Sequence, residues 1–224
     1  MPFGLKLKHT SEATPLPLVG LQVWNGALLL AEYISWRRSV VAGKRVVEVG
    51  AGTGVVSFVA AAVGAELGEG EEEERREDEF GWMKEDVELF HDECEVILAA
   101  DVVYIDYVTF HFVRHLPVLL LKKSMSGSWR SRTLYLSLEK RIQFSVEECR
   151  ATAPAWDFLI RTIDAMNQDL NERVNPDDGE RDLESDFPRV QICMEPVDLR
   201  GMPKLFEYER TKELQIWKAF LLIA

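Results

Sequence analysis

Apolar positions along the chain alternate between a helical repeat and short continuous runs, and each change of period marks an element. Ala27, Leu28, Ala31 and Ile34 recur at helical spacing, so residues 23–36 read as a helix, preceded by breaks at Pro15 and Pro17 and ended by Gly43. Residues 44–49 are a β-branched run of the kind that fills a buried strand. Residues 55–63 form a short alanine-rich helix that closes before Gly64. Farther on, a polar stretch at 85–90 reads as helical, residues 95–100 as an apolar strand ending in Asp101, 107–121 as a crossover helix and 133–138 as a third strand. A longer helix is expected over 146–170, interrupted near Pro154. Strands at 190–195, 205–210 and 213–222, separated by short turns, predict a C-terminal antiparallel hairpin. Strand, helix and strand in alternation predict an α/β domain.

With 224 residues and 47% hydrophobic content, the chain suffices for one domain, here residues 23–224 behind an N-terminal segment 1–22. The formal charge of −12 changes little in this picture, because residues 66–79 and 169–186 account for all of it and leave the remainder near neutral. Both tracts read as solvated loops, the second with a turn at 175–179. A broad basic face for nucleic acid is not indicated. Cys94, Cys149 and Cys193 lie far apart with no paired spacing, which argues against a disulfide scaffold or a zinc site and for a reducing compartment. The first twenty residues lack a signal pattern and the apolar runs are too short to span a bilayer, so a soluble intracellular protein is expected.

The chemistry concentrates in Glu48-Val49-Gly50-Ala51-Gly52-Thr53-Gly54, directly after the first strand. In a doubly wound sheet the first strand-to-helix turn must let backbone approach a ligand, and glycine permits that approach. A dinucleotide fingerprint would need a small residue at position 55, where Val55 stands. Glu48 suits the ammonium and sulfonium charges of S-adenosylmethionine and would repel a pyrophosphate. The competing reading of the loop is a tight turn that only packs strand against helix.

Four ordered blocks carry a resemblance: residues 23–31 with Trp24, the glycine loop, residues 98–104 with Asp101 and Tyr104, and Leu138-Glu139-Lys140-Arg141. Together, over about residues 7–220, they resemble the seven-strand protein-lysine methyltransferases of the methyltransferase-like group. The resemblance implies a Rossmann-like sheet with flanking helices, S-adenosylmethionine as methyl donor, and a protein lysine as acceptor. It implies cofactor contacts from Trp24, Glu48, Gly50, Gly52, Gly54 and Asp101, with Asp101, Tyr104 and Glu139 at the methyl-transfer channel and no metal. It further implies a nuclear or cytosolic setting, a monomer, and chaperone-type partners. On the residues alone, Trp24 equally suits core packing, Tyr104 a cap on the sheet, and Glu139 a surface ion pair with Lys140 and Arg141.

One departure from the pattern follows the first helix. A second strand ending in a ribose-binding acid belongs about 20 residues past the loop. Glu71-Glu72-Glu73-Glu74 stands there with no apolar run before it. A strand, a helix and a further strand are expected to be missing, leaving the sheet incomplete at one edge and its first strand partly unpaired. This departure favours a second reading, a methyltransferase-fold protein that serves as a protein-binding module. A small-molecule methyltransferase and a nicotinamide dehydrogenase follow in that order.

Overall fold

The computed structural model describes residues 16–66, 84–124, 127–145, 149–172 and 187–224. Most of both acidic tracts, including the turn at 175–179, lies outside the described residues, as does the segment 1–15. In chain order the elements are α1 (Asn25–Trp36), β1 (Arg45–Val49), α2 (Val55–Ala62), α3 (Lys84–Glu93), β2 (Cys94–Ala100), α4 (Asp106–Leu120), β3 (Leu121–Lys123), β4 (Trp129–Ser131), β5 (Thr133–Glu139), β6 (Gln143–Ser145), β7 (Arg150–Thr152), α5 (Pro154–Glu172), β8 (Val190–Pro196) and β9 (Leu214–Ile223). A 3-10 turn over Leu16–Leu21 precedes α1.

Five strands form the central sheet in the order β1-β2-β5-β9-β8. β1, β2 and β5 are parallel, whereas β9 runs antiparallel to both neighbours. Period-two alternation sorts the side chains of β2 onto two covered faces. Val96 and Leu98 join Leu29, Leu30 and Ile34 of α1 and Val56 and Ala60 of α2. Ile97 and Ala99 join Phe112, Val113 and Leu116 of α4 and Leu159 and Ile163 of α5. Coverage on both faces is why β2 reads as an unbroken apolar run. The result is a Rossmann-like sheet with flanking helices, closed by the expected antiparallel pair β8 and β9.

The segment expected to lack strands, after α2, falls mostly outside the described residues. Among the described residues β1 is the sheet's terminal strand, and all five β1 side chains are only half buried. After α2 the chain turns back at Gly64, and Glu66 makes a single parallel bridge with Arg45 before the described segment stops.

Three expectations are corrected. The helix expected over 146–170 starts at Pro154, because proline fits the first helical position, where its missing N–H is no loss. Arg150–Thr152 pair with Gln143–Ser145 in the β6–β7 hairpin instead, and residues 146–148 lie outside the described residues. Residues 205–210 do not form a strand, because their polar groups face a buried carboxylate. Glu32 in α1, with no exposed surface, accepts from the Leu205 and Phe206 amides at 2.5 and 2.9 Å, from the Tyr208 hydroxyl and from Arg210. The connection between β8 and β9 is consequently a long loop over α1, not a short turn.

Candidate functional site

The loop after β1 leads to α2 on one face of the sheet, and the loop after β2 leads to α4 on the other. A crevice opens between them at the carboxyl ends of the two strands, which is where ligands bind in open α/β sheets. Here it is a cavity of about 970 Å³. Its floor is Glu48 to Thr53, its near wall Val19, Gly20 and Trp24, and its far wall Asp101, Val102, Tyr104 and the α4 face carrying Tyr107, Val108, His111, Phe112, His115 and Leu119.

The glycine loop is shaped by backbone conformations that side chains resist. Gly50, Gly52 and Gly54 adopt φ of 70°, 50° and 71°. A Cβ on Gly50 would stand 2.7 Å from Cγ1 of Val102, so the loop is pressed against the residue that follows Asp101. Gly54 caps the start of α2 and does not line the cavity.

Both acids of the site also terminate helices. Asp101 takes φ of 54°, uncommon for a non-glycine residue, and its Oδ2 accepts from the Gly26 amide in the first turn of α1 at 2.7 Å. Position 26 must be glycine for this, since a Cβ there would lie 2.4 Å from that oxygen. Burial pushes the Asp101 carboxyl up to about 6, opposed by the Gly26 and Glu139 amides and by Arg141, and reinforced by the Glu139 carboxylate. Glu48 Oε2 accepts from the Ser57 amide at 2.9 Å and its hydroxyl at 2.5 Å in the first turn of α2. Burial raises the Glu48 carboxyl against those two bonds. Its other oxygen remains for a ligand.

The remaining candidates separate. Trp24 precedes α1, donates its indole N–H to the Val19 carbonyl at 2.9 Å, and turns its half-buried ring into the cavity wall. Tyr104 is 38% exposed at the rim. Glu139 does not line the cavity. It supports the site from behind, through its amide to Asp101, while its carboxylate accepts from the Thr211 hydroxyl at 3.3 Å. Nor does it pair with its neighbours in sequence. The Lys140 ammonium lies 3.7 Å from the centroid of Trp156, and the Arg141 guanidinium 5.3 Å from that of Trp24. Sequence reasoning missed Gly26, Arg141 and the aromatic and histidine face of α4. The first two had signals in hand, a glycine inside an otherwise apolar helix and an arginine just past a strand end.

A family described as lysine methyltransferase matches residues 6–74, which span the α1 block and the glycine loop. The chain is 31% identical to methyltransferase-like protein 22 of Mus musculus and 30% identical to methyltransferase-like protein 22 of Homo sapiens, in each case over 96% of this chain. The chain is related to the methyltransferase-like proteins. It spans 58% and 57% of the length of these two relatives. Each alignment runs over 252 positions, more than the 224 residues present, so within the aligned span these methyltransferase-like proteins carry residues with no counterpart here. An incomplete sheet edge is consistent with that difference.

Proposed function

We propose that the chain transfers a methyl group from S-adenosylmethionine to the side-chain amine of a lysine in another protein. The observation that carries this reading is the cavity at the ends of β1 and β2, where the glycine loop, Trp24, Asp101 and Tyr104 meet within a methyltransferase-family fold. The residues present suit the donor: a glycine turn for close backbone approach, Glu48 and Asp101 for its positive charge, and Val102, Phe112 and Leu119 as apolar wall. When bound, the donor supplies an electrophilic methyl group on a sulfonium.

The chain must then present a neutral amine, which at pH 7 costs roughly 4 to 5 kcal/mol for a lysine of pKa about 10.4. Tyr104 at the rim offers a ring face to the arriving ammonium, worth about 0.5 to 2 kcal/mol, before the amine gives up its proton to solvent. Asp101, ionised above about 6, supplies negative charge at the end of β2, beside the path of the amine toward the donor. Alignment of the amine by these walls is the main lever on rate. The setting proposed is nuclear or cytosolic.

Radiolabelled donor incubated with the protein and a cell extract is expected to yield a labelled protein band. A blank lane beside an active full-length relative would remove the catalytic reading. The end of the described sheet at β1 supports a second reading, a binding module without catalysis. Calorimetric titration with S-adenosylmethionine separates them, since only the first requires binding at cellular donor concentrations.

A further inference from the structure

We propose that Arg141 is the anchor for a ligand carboxylate at the amino-acid end of the cavity, an assignment that rests on the methyl-donor reading above. Among the described residues lining the cavity, Arg141 is the sole arginine or lysine. Its exposed guanidinium stacks toward the Trp24 ring and makes no ion pair or hydrogen bond of its own among the described residues. It also lies close enough to Asp101 to favour that carboxylate's charge. The cavity lining thus holds two carboxylates, Glu48 and Asp101, and one planar cation without an ion pair among the described residues. That charge pattern is complementary to the zwitterionic head of an α-amino acid: ammonium toward the carboxylates, carboxylate onto the guanidinium fork. Arginine takes a carboxylate through two parallel N–H bonds, and support by an aromatic face pre-orders the fork.

Other positions for this cation are disfavoured by its sign. Set against the sulfonium or against an incoming lysine, it would repel the group it faced. Packing on Trp24 alone would explain its position but makes a different prediction, because loss of packing weakens every ligand that touches the ring. Carboxylate recognition weakens only ligands that carry the carboxylate.

The test is calorimetric titration of the full chain with S-adenosylhomocysteine and with its decarboxylated counterpart, which differs only by that group. In the unsubstituted protein the carboxylate is expected to strengthen binding about 10- to 100-fold, the range for a charged hydrogen-bonded pair. Arg141→Met, which keeps an apolar stem on Trp24, is expected to erase that advantage while leaving the decarboxylated ligand unchanged. Arg141→Lys is expected to restore part of it. Equal weakening of both ligands, or of neither, would overturn the assignment. Failure of the unsubstituted protein to bind either ligand would instead overturn the donor reading, and the role of Arg141 with it. Matching thermal melts of the two variants and the parent verify that the exposed substitution leaves the fold intact.

Discussion

Asp101 serves three purposes with one carboxyl group: it ends β2 in a strained conformation, caps α1 through Gly26, and faces the cavity. Its energetics show which purpose costs stability. A carboxyl raised from 3.8 to about 6 in the folded chain binds a proton more readily there than in the unfolded chain. Its contribution to stability is therefore fully present below the unfolded value and is lost as pH rises through about 6. At neutral pH the ionised form is retained at the expense of the fold, as at sites where function sets the residue. Substituting Asp101→Asn is expected to shrink the stability difference between pH 4.5 and 7.5 by roughly 1 to 3 kcal/mol. Urea unfolding at the two pH values measures it; an unchanged difference would mean that Asp101 does not titrate in that window. Sequence pattern pointed to Asp101 and the glycines because strand ends and backbone turns leave local signatures. Arg141 and Gly26 were harder to read, since their meaning comes from residues 40 or more positions away that only the fold brings near.

At the scale of elements, one side chain joins the ends of several. Arg132, between β4 and β5 and only 2% exposed, spends all five of its N–H groups on backbone carbonyls. Nε reaches Cys94, Nη1 reaches Leu119 and Leu121, and Nη2 reaches Phe90 and His91. It therefore satisfies the last carbonyls of α3 and α4, where the helix dipoles favour a cation, and packs over the Phe90 ring. Burial lowers its pKa, and no carboxylate offsets the charge among its bonds. Arg132→Met should destabilise the chain by about 3 to 5 kcal/mol, the cost of breaking a buried charged network. Arg132→Lys should recover less than half, because an ammonium cannot fork to both helices. A loss under about 1 kcal/mol in urea unfolding would show that water can replace the guanidinium. Periodicity placed α1, β1, α2, β2, α4, β5 and β9 within a residue or two, yet gave no hint of Arg132, because an isolated arginine reads as surface. The strand wrongly expected at 205–210 fails for the same reason: its backbone answers to Glu32, some 170 positions earlier.

For the molecule as a whole, stability is uneven across the sheet. β2, β5 and β9 each have strands on both sides, whereas among the described residues β1 has β2 on one side and a single bridge at Arg45 on the other. An ion pair from Arg45 to Glu93 ties the start of β1 to the end of α3, though both groups are partly exposed and the pair adds little. Native-state hydrogen exchange is expected to show β1 amides exchanging faster than those of β2 and β5, through local opening rather than global unfolding. Equal protection across the three strands would mean that β1 is fully covered. The consequence reaches the site, because the glycine loop hangs from a strand that is terminal among the described residues. Donor binding should in turn slow exchange in β1, since a ligand favours the closed form.

The strand order has a temporal side. β9 follows both β5 and β8 in sequence, yet it lies between them in the sheet. During synthesis β5 and β8 have no partner on their facing edges until β9 has left the ribosome, and the Glu32 clamp on α1 waits for residues 205–210. Both cores take side chains from β9, Leu214 and Ile216 on one face, Ala219 and Leu221 on the other. Such sequence-distant pairing delays folding and leaves apolar edges open in the meantime. Until β9 pairs with β5 and β8, those open apolar edges are the surface through which a refolding chain self-associates.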